Sequence, residues 1–469
     1  MATVITSPTY DPVTTATNLA NSYVAPSKAI LDAQSTKAKA NSAALSTLGS
    51  ALSAFQTAMA SIASGTKSVS ANSATFSNTA IATGTANAKS TAGTYSFYVE
   101  QTAKSGQVSY TVPNTSVASD PGKFNITMGD GTSFEVSLSA ANTDPDNPTV
   151  LTAKEIAAAI NSATNNNSRV TASTMTINGT TQLVLSSAKT GTDNAVASIQ
   201  TTNLTDPALA TALSSKTVLS AASNAIVWVG AKTTGTKIEQ ASNTFSIVDG
   251  VAFTVNQAQG ASDQPVVMTV GSDTSATAAN VQTFVTAYNT LLAAYSSVTK
   301  VGDAAAGTAS AALAGDSAVK SLRDQLNAAL RTATGGQSLI SYGITANRDG
   351  TLALDTNRLN KAMAADPEGL DKLFGRATAL GNTDSGVLGS MNKIVSTWTS
   401  SVNGVLGARK SANDKVQLDV TKRLATLETQ FNNAYQRYLA QFTALQQLQS
   451  SLTNTSNLFT ALFSSESSS

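Results

Sequence analysis

The 469-residue sequence contains no cysteine and no histidine. Without cysteine there is no disulfide framework and no thiolate metal site. Without histidine the commonest catalytic base and the commonest zinc ligand are gone, and a Ser–His–Asp triad cannot be built. Charge is scarce as well. Charged residues make up 12% of the chain, 29 basic against 28 acidic, and no five like charges are consecutive. Phosphate binding needs a basic surplus or a basic stripe, so nucleic acid is not expected as a partner. Aromatic residues are few, at 5%. No apolar run approaches the roughly eighteen residues of a membrane-spanning helix, so no membrane span is expected. Met1 to Tyr10 shows neither the basic nor the apolar region of a cleavable signal. If the protein works outside the cell, it is expected to leave by a signal-less route. A cysteine-free chain suits passage through a narrow channel, because no bridge forms beforehand.

The polar surface comes instead from Ser, Thr, Asn and Gln, and the chain changes character twice along its length. Ala-rich stretches favour helix at the two ends, and Thr- and Val-rich stretches favour strand between them. The start is expected to be helical to about residue 70, with Pro26 as a helix opener. Leu45, Leu48, Leu52, Phe55, Met59 and Ile62 step by 3, 4, 3, 4, 3, the spacing of a coiled-coil seam or of an amphipathic helix on a core.

From about Ser70 the pattern turns to strands. Phe124–Met128 and Phe134–Leu138 alternate around Gly129-Asp130-Gly131, which predicts a hairpin. Residues 141–149 read as a loop, Ala153 to Ser162 as a short helix, and Arg169–Ile177 with Gln182–Ser186 as strands around Asn178-Gly179. Ala225–Val229, Asn243–Val255 around Asp249-Gly250, and Val266–Val270 complete the strands. Helix resumes near residue 275, with an interlude at Ile340–Asp355.

The strongest periodic signal is the last. Val420, Leu424, Leu427, Phe431, Tyr435, Tyr438, Phe442 and Leu445 step by 4, 3, 4, 4, 3, 4, 3, with no Gly or Pro from Ala408 to Phe463. A helix of that length belongs to a coiled coil or bundle, and its polar faces rule out a membrane. Ser464–Ser469 reads as a disordered tail. The expected class is α+β multidomain, with discontinuous helical domains from both termini flanking a β-rich two-subdomain insert.

Candidate chemistry is thin. Asp144, Asp146 and Glu155 fall at calcium-loop spacing, but Pro148 and Thr149 stand where the loop needs a ligand and a glycine. Asp130 between two glycines is a turn without the lysine of a phosphate loop, and Gly335-Gly336 is likewise a loop. Tyr435 and Tyr438 read as core or interface. No paired carboxylates cluster locally. No catalytic, cofactor-binding or metal residues are expected, and no cofactor. The residues singled out are the two helix seams.

Several ordered blocks together resemble one family. They are SNTFSIVDGVAFTVNQ (Ser242–Gln257), Val266-Val267-Met268-Thr269-Val270 with Asp273, FVTAYNTLL (Phe284–Leu292) and ALAGDSAVKSLRDQL (Ala312–Leu326). They continue with YGITANRDGTLALD (Tyr342–Asp355), LDKLFG (Leu370–Gly375) and YLAQFTALQQLQSSLTNTSNLFTALF (Tyr438–Phe463). Their order is similar to that of flagellar hook-associated protein 2, the filament-capping family. Asp11, Leu19 and Pro26 fit the family's opening, but its Gly-rich segment is missing here.

The resemblance implies a ring-like homo-oligomer, a pentamer, at the distal filament end. It implies terminal helices contacting flagellin or the hook–filament junction protein, and a β plate over a chamber where exported flagellin folds. It also implies export by the flagellar type III apparatus, with a chaperone binding near the C-terminus. The expected domains are 1–40 plus 440–469 (leg), 41–72 plus 272–439 (helical bundle), 73–119 plus 219–271 (inner β) and 120–218 (outer β). Alternatives are a flagellin or junction protein, an adhesin binding mucin or glycan through residues 75–270, and, remotely, a cell-wall hydrolase.

Overall fold

The computed structural model describes residues 11–65, 67–113, 115–116, 121–142, 150–331, 337–377 and 386–466. Within them the helices are α1 (Pro12–Ile62), α2 (Ala153–Ser162), α3 (Pro207–Ser214), α4 (Thr274–Thr299), α5 (Ser317–Leu330), α6 (Thr356–Ala365), α7 (Gly369–Phe374), α8 (Gly386–Thr399) and α9 (Val405–Glu466). The chain divides into two compact units, residues 1–69 with 278–469, and residues 70–277. Both ends of the sequence thus contribute to one helical unit, and the segment between them forms the other. The expected α+β class with a β-rich insert holds.

Helix α1 does not open at Pro26. Asp11 is its N-cap, accepting from Thr14 N–H at 2.9 Å, and Pro12 occupies the first turn, where a missing N–H costs nothing. Pro26 lies inside the helix. An interior proline costs about 3 kcal/mol. Tertiary packing carries the helix through it, because Val24 and Leu31 on either side are both buried in one cluster with Val420 and Leu427 of α9.

The core of the helical unit gathers α1 from Ala44 to Ile62 with α4 to α8. Phe55 meets Phe284 and Tyr288 of α4 with centroids 6.1 and 6.3 Å apart, and Phe284 meets Phe374 edge-on at 5.3 Å. The interlude at 340–355 is a small hairpin, Ile344–Ala346 against Leu352–Leu354. Asn289 of α4 pins it, donating to Leu352 O at 2.9 Å and accepting from Leu352 N–H at 2.7 Å.

The unit 70–277 holds two apolar cores. In the first, an antiparallel five-stranded sheet runs in the order 71–76, 266–273, 93–101, 225–229, 236–240. A three-stranded sheet (82–86, 251–255, 244–248) supplies the other side of its core. Phe253 stacks on Phe97 at 4.7 Å and on Phe245 at 5.6 Å. The second core lies between the sheet 217–220, 107–110, 180–187, 170–177, the sheet 196–200, 123–128, 133–137, and helix α2. The expected hairpin at 124–138 is present, with Phe124 opposite Val136 and Ile126 opposite Phe134. Asn178 and Gly179 form the other hairpin turn, with φ of 51° and 78°. Glu155 serves α2 as half of a capping box with Thr152, whose N–H it accepts at 2.9 Å. Asp144 and Asp146 lie outside the described residues.

The two cores meet at Gly191. Its N–H donates to Lys104 O at 3.1 Å, and the next residue, Thr192, donates its N–H to Asn224 Oδ1 at 2.9 Å. Gly191 has φ of 100°, and a Cβ there would stand 2.3 Å from Ala241 Cβ. Gly191→Val is therefore expected to cost at least the 1–3 kcal/mol of roughly forced backbone strain, on top of pushing the 241 strand end away. Urea unfolding followed by circular dichroism checks this, with a lowered midpoint as the expected outcome.

Candidate assembly surface on the terminal helices

The two seams read from the sequence have different surroundings. Leu45, Leu48, Leu52, Phe55, Met59 and Ile62 are all buried in the bundle core with residues of α4, α5 and α8. Their spacing reflects a helix in a multi-helix core, the plainer of the two readings. Val420 and Leu427 are buried against Val24 and Leu31, and Leu424 and Phe431 are partly buried beside them. Tyr435, Tyr438 and Phe442 are half-buried, and Leu445 is 40% exposed. Phe431 and Tyr435 stack with rings 9° from parallel, and the Arg437 guanidinium lies 5.0 Å over Tyr438.

The register follows from one hydrogen bond. Asn413 of α9 donates to Ala38 O of α1 at 2.9 Å. The helices run antiparallel from there, since residues before 38 in α1 meet residues after 413 in α9. The described partner of α1 near Val24 and Leu31 is thus Val420 to Phe431, not the segment 440–469 expected for the leg. Residues 440–466 lie further along α9, and residues 467–469 fall outside the described residues.

Beyond Leu445 the 3–4 stepping goes on unread: Leu448, Leu452, Phe459 and Leu462 are between 56% and 63% exposed, with Thr455 in the one polar seam position. Ala434, 4% exposed, also belongs to the seam. The sequence carried both signals. Tyr435 drew the repeat onto a neighbouring face and hid the strict seven-residue period of Leu424, Phe431, Tyr438, Leu445, Leu452 and Phe459. A 62-residue helix spans about 90 Å, and its last third carries an uncovered apolar stripe.

One ion pair fixes the start of α9 to the bundle. Arg409 donates through Nη1 to Asp316 Oδ2, while Asp316 Oδ1 caps α5, accepting from Ala318 and Val319 N–H, both at 3.0 Å. Burial pushes the Asp316 carboxyl up, but these hydrogen bonds and the Arg409 charge outweigh it and hold it below its ordinary value. A depressed carboxyl contributes stability that is full above the unfolded value and lost as pH falls through the folded one. Asp316→Asn is expected to lower the melting temperature by a few degrees at pH 7. The difference from the parent shrinks once pH drops below about 4, which thermal melts across pH check directly.

Among the described residues no three of His, Cys, Asp and Glu come together as metal ligands. Asp130 is occupied by its own turn, accepting from Thr132 N–H at 2.9 Å and Thr132 Oγ1 at 2.6 Å. Among those residues no helix is long and apolar enough to cross a membrane. The fold defines a class of protein: a helical unit built from both chain ends, carrying a long helix whose apolar seam extends past the part buried against α1.

Comparison with known proteins gives that class a family. The pattern described as flagellar hook-associated protein 2 N-terminus matches residues 9–106, and the one described as flagellar hook-associated protein 2 C-terminus matches residues 222–454. The chain is 31% identical over 395 residues to lateral flagellar hook-associated protein 2 of Vibrio parahaemolyticus, covering 83% of this chain and 85% of that protein. It is 30% identical over 482 residues to flagellar hook-associated protein 2 of Escherichia coli K12, covering 96% of each. The crystal structure of the D1–D2–D3 domains of the Escherichia coli flagellar cap protein FliD superposes with a TM-score of 0.59 at 27% identity, over 79% of this chain and 99% of that one. The chain belongs to the flagellar hook-associated protein 2 family, the flagellar cap proteins. Membership as a flagellin or a junction protein is set aside by the same matches.

Proposed function

We propose that the protein is the structural cap of a bacterial flagellar filament, acting as a closed homo-oligomeric ring at the distal end that promotes folding and insertion of exported flagellin. The observation that carries this reading is α9: its seam is buried or half-buried from Val420 to Phe442 and then continues, exposed, from Leu445 to Leu462. An apolar stripe of that length calls for another helix. Filament subunits and the hook–filament junction protein are the partners expected for it in the assembly, and an export chaperone before assembly. Pentameric closure, location at the flagellum tip and exit through the flagellar type III apparatus go with the same reading. So does a structural rather than enzymatic role, which the carboxylates occupied in caps and turns support. The adhesin alternative has no support among the relatives named above.

The fourfold division into leg, bundle, inner β and outer β domains is proposed with it. Four separate apolar clusters support that division, and the leg is redrawn so that α1 before residue 40 pairs with Asn413–Phe431.

Ring contacts join unlike patches through a closing rotation. With so few charges they rest on hydrogen bonds and modest apolar burial, and they gain strength from closure. Sedimentation of the full-length protein tests this. The ring is expected to depend on protein concentration but to persist from about 0.05 to 0.5 M salt, over which the Debye length shrinks about threefold. A monomer at every concentration, or a ring dispersed by salt, contradicts it.

A further inference from the structure

Asparagine followed by glycine occurs twice in the chain, at Asn178-Gly179 and Asn403-Gly404. Such a pair carries its own chemistry. Glycine has no Cβ to shield its amide nitrogen, so that nitrogen reaches the side-chain carbon of the asparagine before it. Both asparagines are exposed, and both follow a β-branched residue, Ile177 and Val402. Sequence and exposure thus give the two pairs similar reactivity. What separates them is the surroundings of the glycine N–H.

Gly404 lies in the tight connection from α8 to α9. It is buried, its N–H donates to Ser400 O at 3.0 Å, and a Cβ there would stand 2.2 Å from Ser400 O. Its own carbonyl accepts from Ala408 N–H of α9 at 3.1 Å. The nitrogen that would attack is held by an acceptor and enclosed. Gly179 is the opposite case. It is exposed at the tip of the hairpin 170–177 and 180–187, and nothing stands within 4 Å of where its Cβ would be. Ile177 opposite Thr180 closes the strands, so Asn178 and Gly179 are the whole loop. Among the described residues the Gly179 N–H has no acceptor.

We propose that Asn178 is a site of spontaneous self-modification, converted through a cyclic imide to aspartate and isoaspartate, while the fold protects Asn403. The Gly179 nitrogen loses its proton to solvent and bonds to Asn178 Cγ. The bond from Cγ to the side-chain nitrogen breaks, and ammonia leaves with a proton. Water then opens the ring at one of its two carbonyl carbons. Nothing is oxidised or reduced, and water is the co-reactant. Because the attacking nitrogen is deprotonated, conversion speeds up as pH rises.

The two products differ in what they do to the hairpin. Opening at Cγ leaves aspartate, and Asp-Gly suits the same two-residue turn. The hairpin survives, and the formal net charge falls from +1 to zero. Opening at the main-chain carbonyl leaves isoaspartate, whose backbone runs through Cγ and is longer by a methylene. The left-handed φ angles of 51° and 78° that close the loop then no longer fit. Strand 170–177 is the edge of its sheet, hydrogen-bonded to 180–187 alone, so a mismatched turn loosens it. The hairpin chemistry is independent of the cap assignment, and either can fail without the other.

Peptide mapping by mass spectrometry of the full-length protein, aged at mildly alkaline pH, tests this. Isoaspartate is scored by methylation with a protein isoaspartyl methyltransferase. In the folded protein Asn178 is expected to convert about tenfold faster than Asn403 or more, the factor set by a hydrogen bond that must open first. In urea, which releases the Gly404 N–H, the two rates are expected to agree within about twofold. Hydrogen exchange of residues 170–187 in Asn178→Asp is expected to match the fresh parent, and in the aged isoaspartyl form to be faster. Asn403 converting as fast as Asn178 in the folded protein overturns the proposal, as does an Asn178 that stays intact. So does a preference that persists unchanged in urea, because sequence and not the fold then sets it. So does an isoaspartyl form whose hairpin exchanges no faster than that of Asn178→Asp.

Discussion

Leu427→Asp is expected to abolish filament capping while leaving the helical bundle and the β unit folded. Leu427 is 8% exposed and packs with Val24, Leu31 and Val420 in the small cluster that closes α1 on α9. An aspartate there buries a charge on an apolar face, a change that costs about 3–5 kcal/mol when no partner is supplied. The cluster contains no larger core to absorb that loss. Bacteria making only this variant are expected to secrete it, to lack normal filaments and to shed flagellin into the medium. Electron microscopy of cells and fractionation of flagellin check this. Leu427→Met, which keeps volume and polarity, is expected to behave as the parent. Leu424→Asp and Phe431→Asp should have smaller effects of the same sign, because both side chains are only partly buried.

Phe55→Ala is expected to give the largest loss of stability in the helical unit. The ring is 1% exposed, lies between Phe284 and Tyr288, and stands in the seam that ties α1 to the bundle core. Truncation removes its transfer energy and leaves a cavity among side chains that are held by several helices and cannot collapse on it. Such changes cost about 3–5 kcal/mol, which corresponds to a fall in melting temperature of roughly 10 °C for a unit of this size. Phe55→Leu, which fills more of the space, should cost about 1–2 kcal/mol. Scanning calorimetry of the full-length variants reads both.

Much of the fold was legible because local signals agreed with tertiary ones. Thr152-x-x-Glu155 before an apolar run marks a capping box, and α2 occupies the segment expected for it. Asn178-Gly179 and Gly129-Asp130-Gly131 mark hairpin turns with alternating strands on either side. Other elements were hidden for physical reasons. Pro26 looked like a helix start, yet packing at Val24 and Leu31 overrides its local cost. Helix α3 went unread although Asp206 and Pro207 form an N-cap and first-turn proline, because its eight residues carry only two buried side chains, Leu209 and Leu213. The edge strand Thr217–Ser220 is exposed at most positions and so shows no alternation. In the terminal helices the apolar spacing was plain, but spacing alone does not name the partner. Leu45 to Ile62 and Val420 to Leu445 look alike in sequence, and one lies in a multi-helix core while the other runs out into an uncovered stripe.

Whether this chain caps a filament is read from the fate of flagellin in the bacterium that encodes it once the gene is deleted. Filaments are expected to disappear from electron micrographs, flagellin to collect in the medium as monomer, and the intact chain supplied in trans to restore filaments. Filaments of normal length on cells without the chain would contradict it.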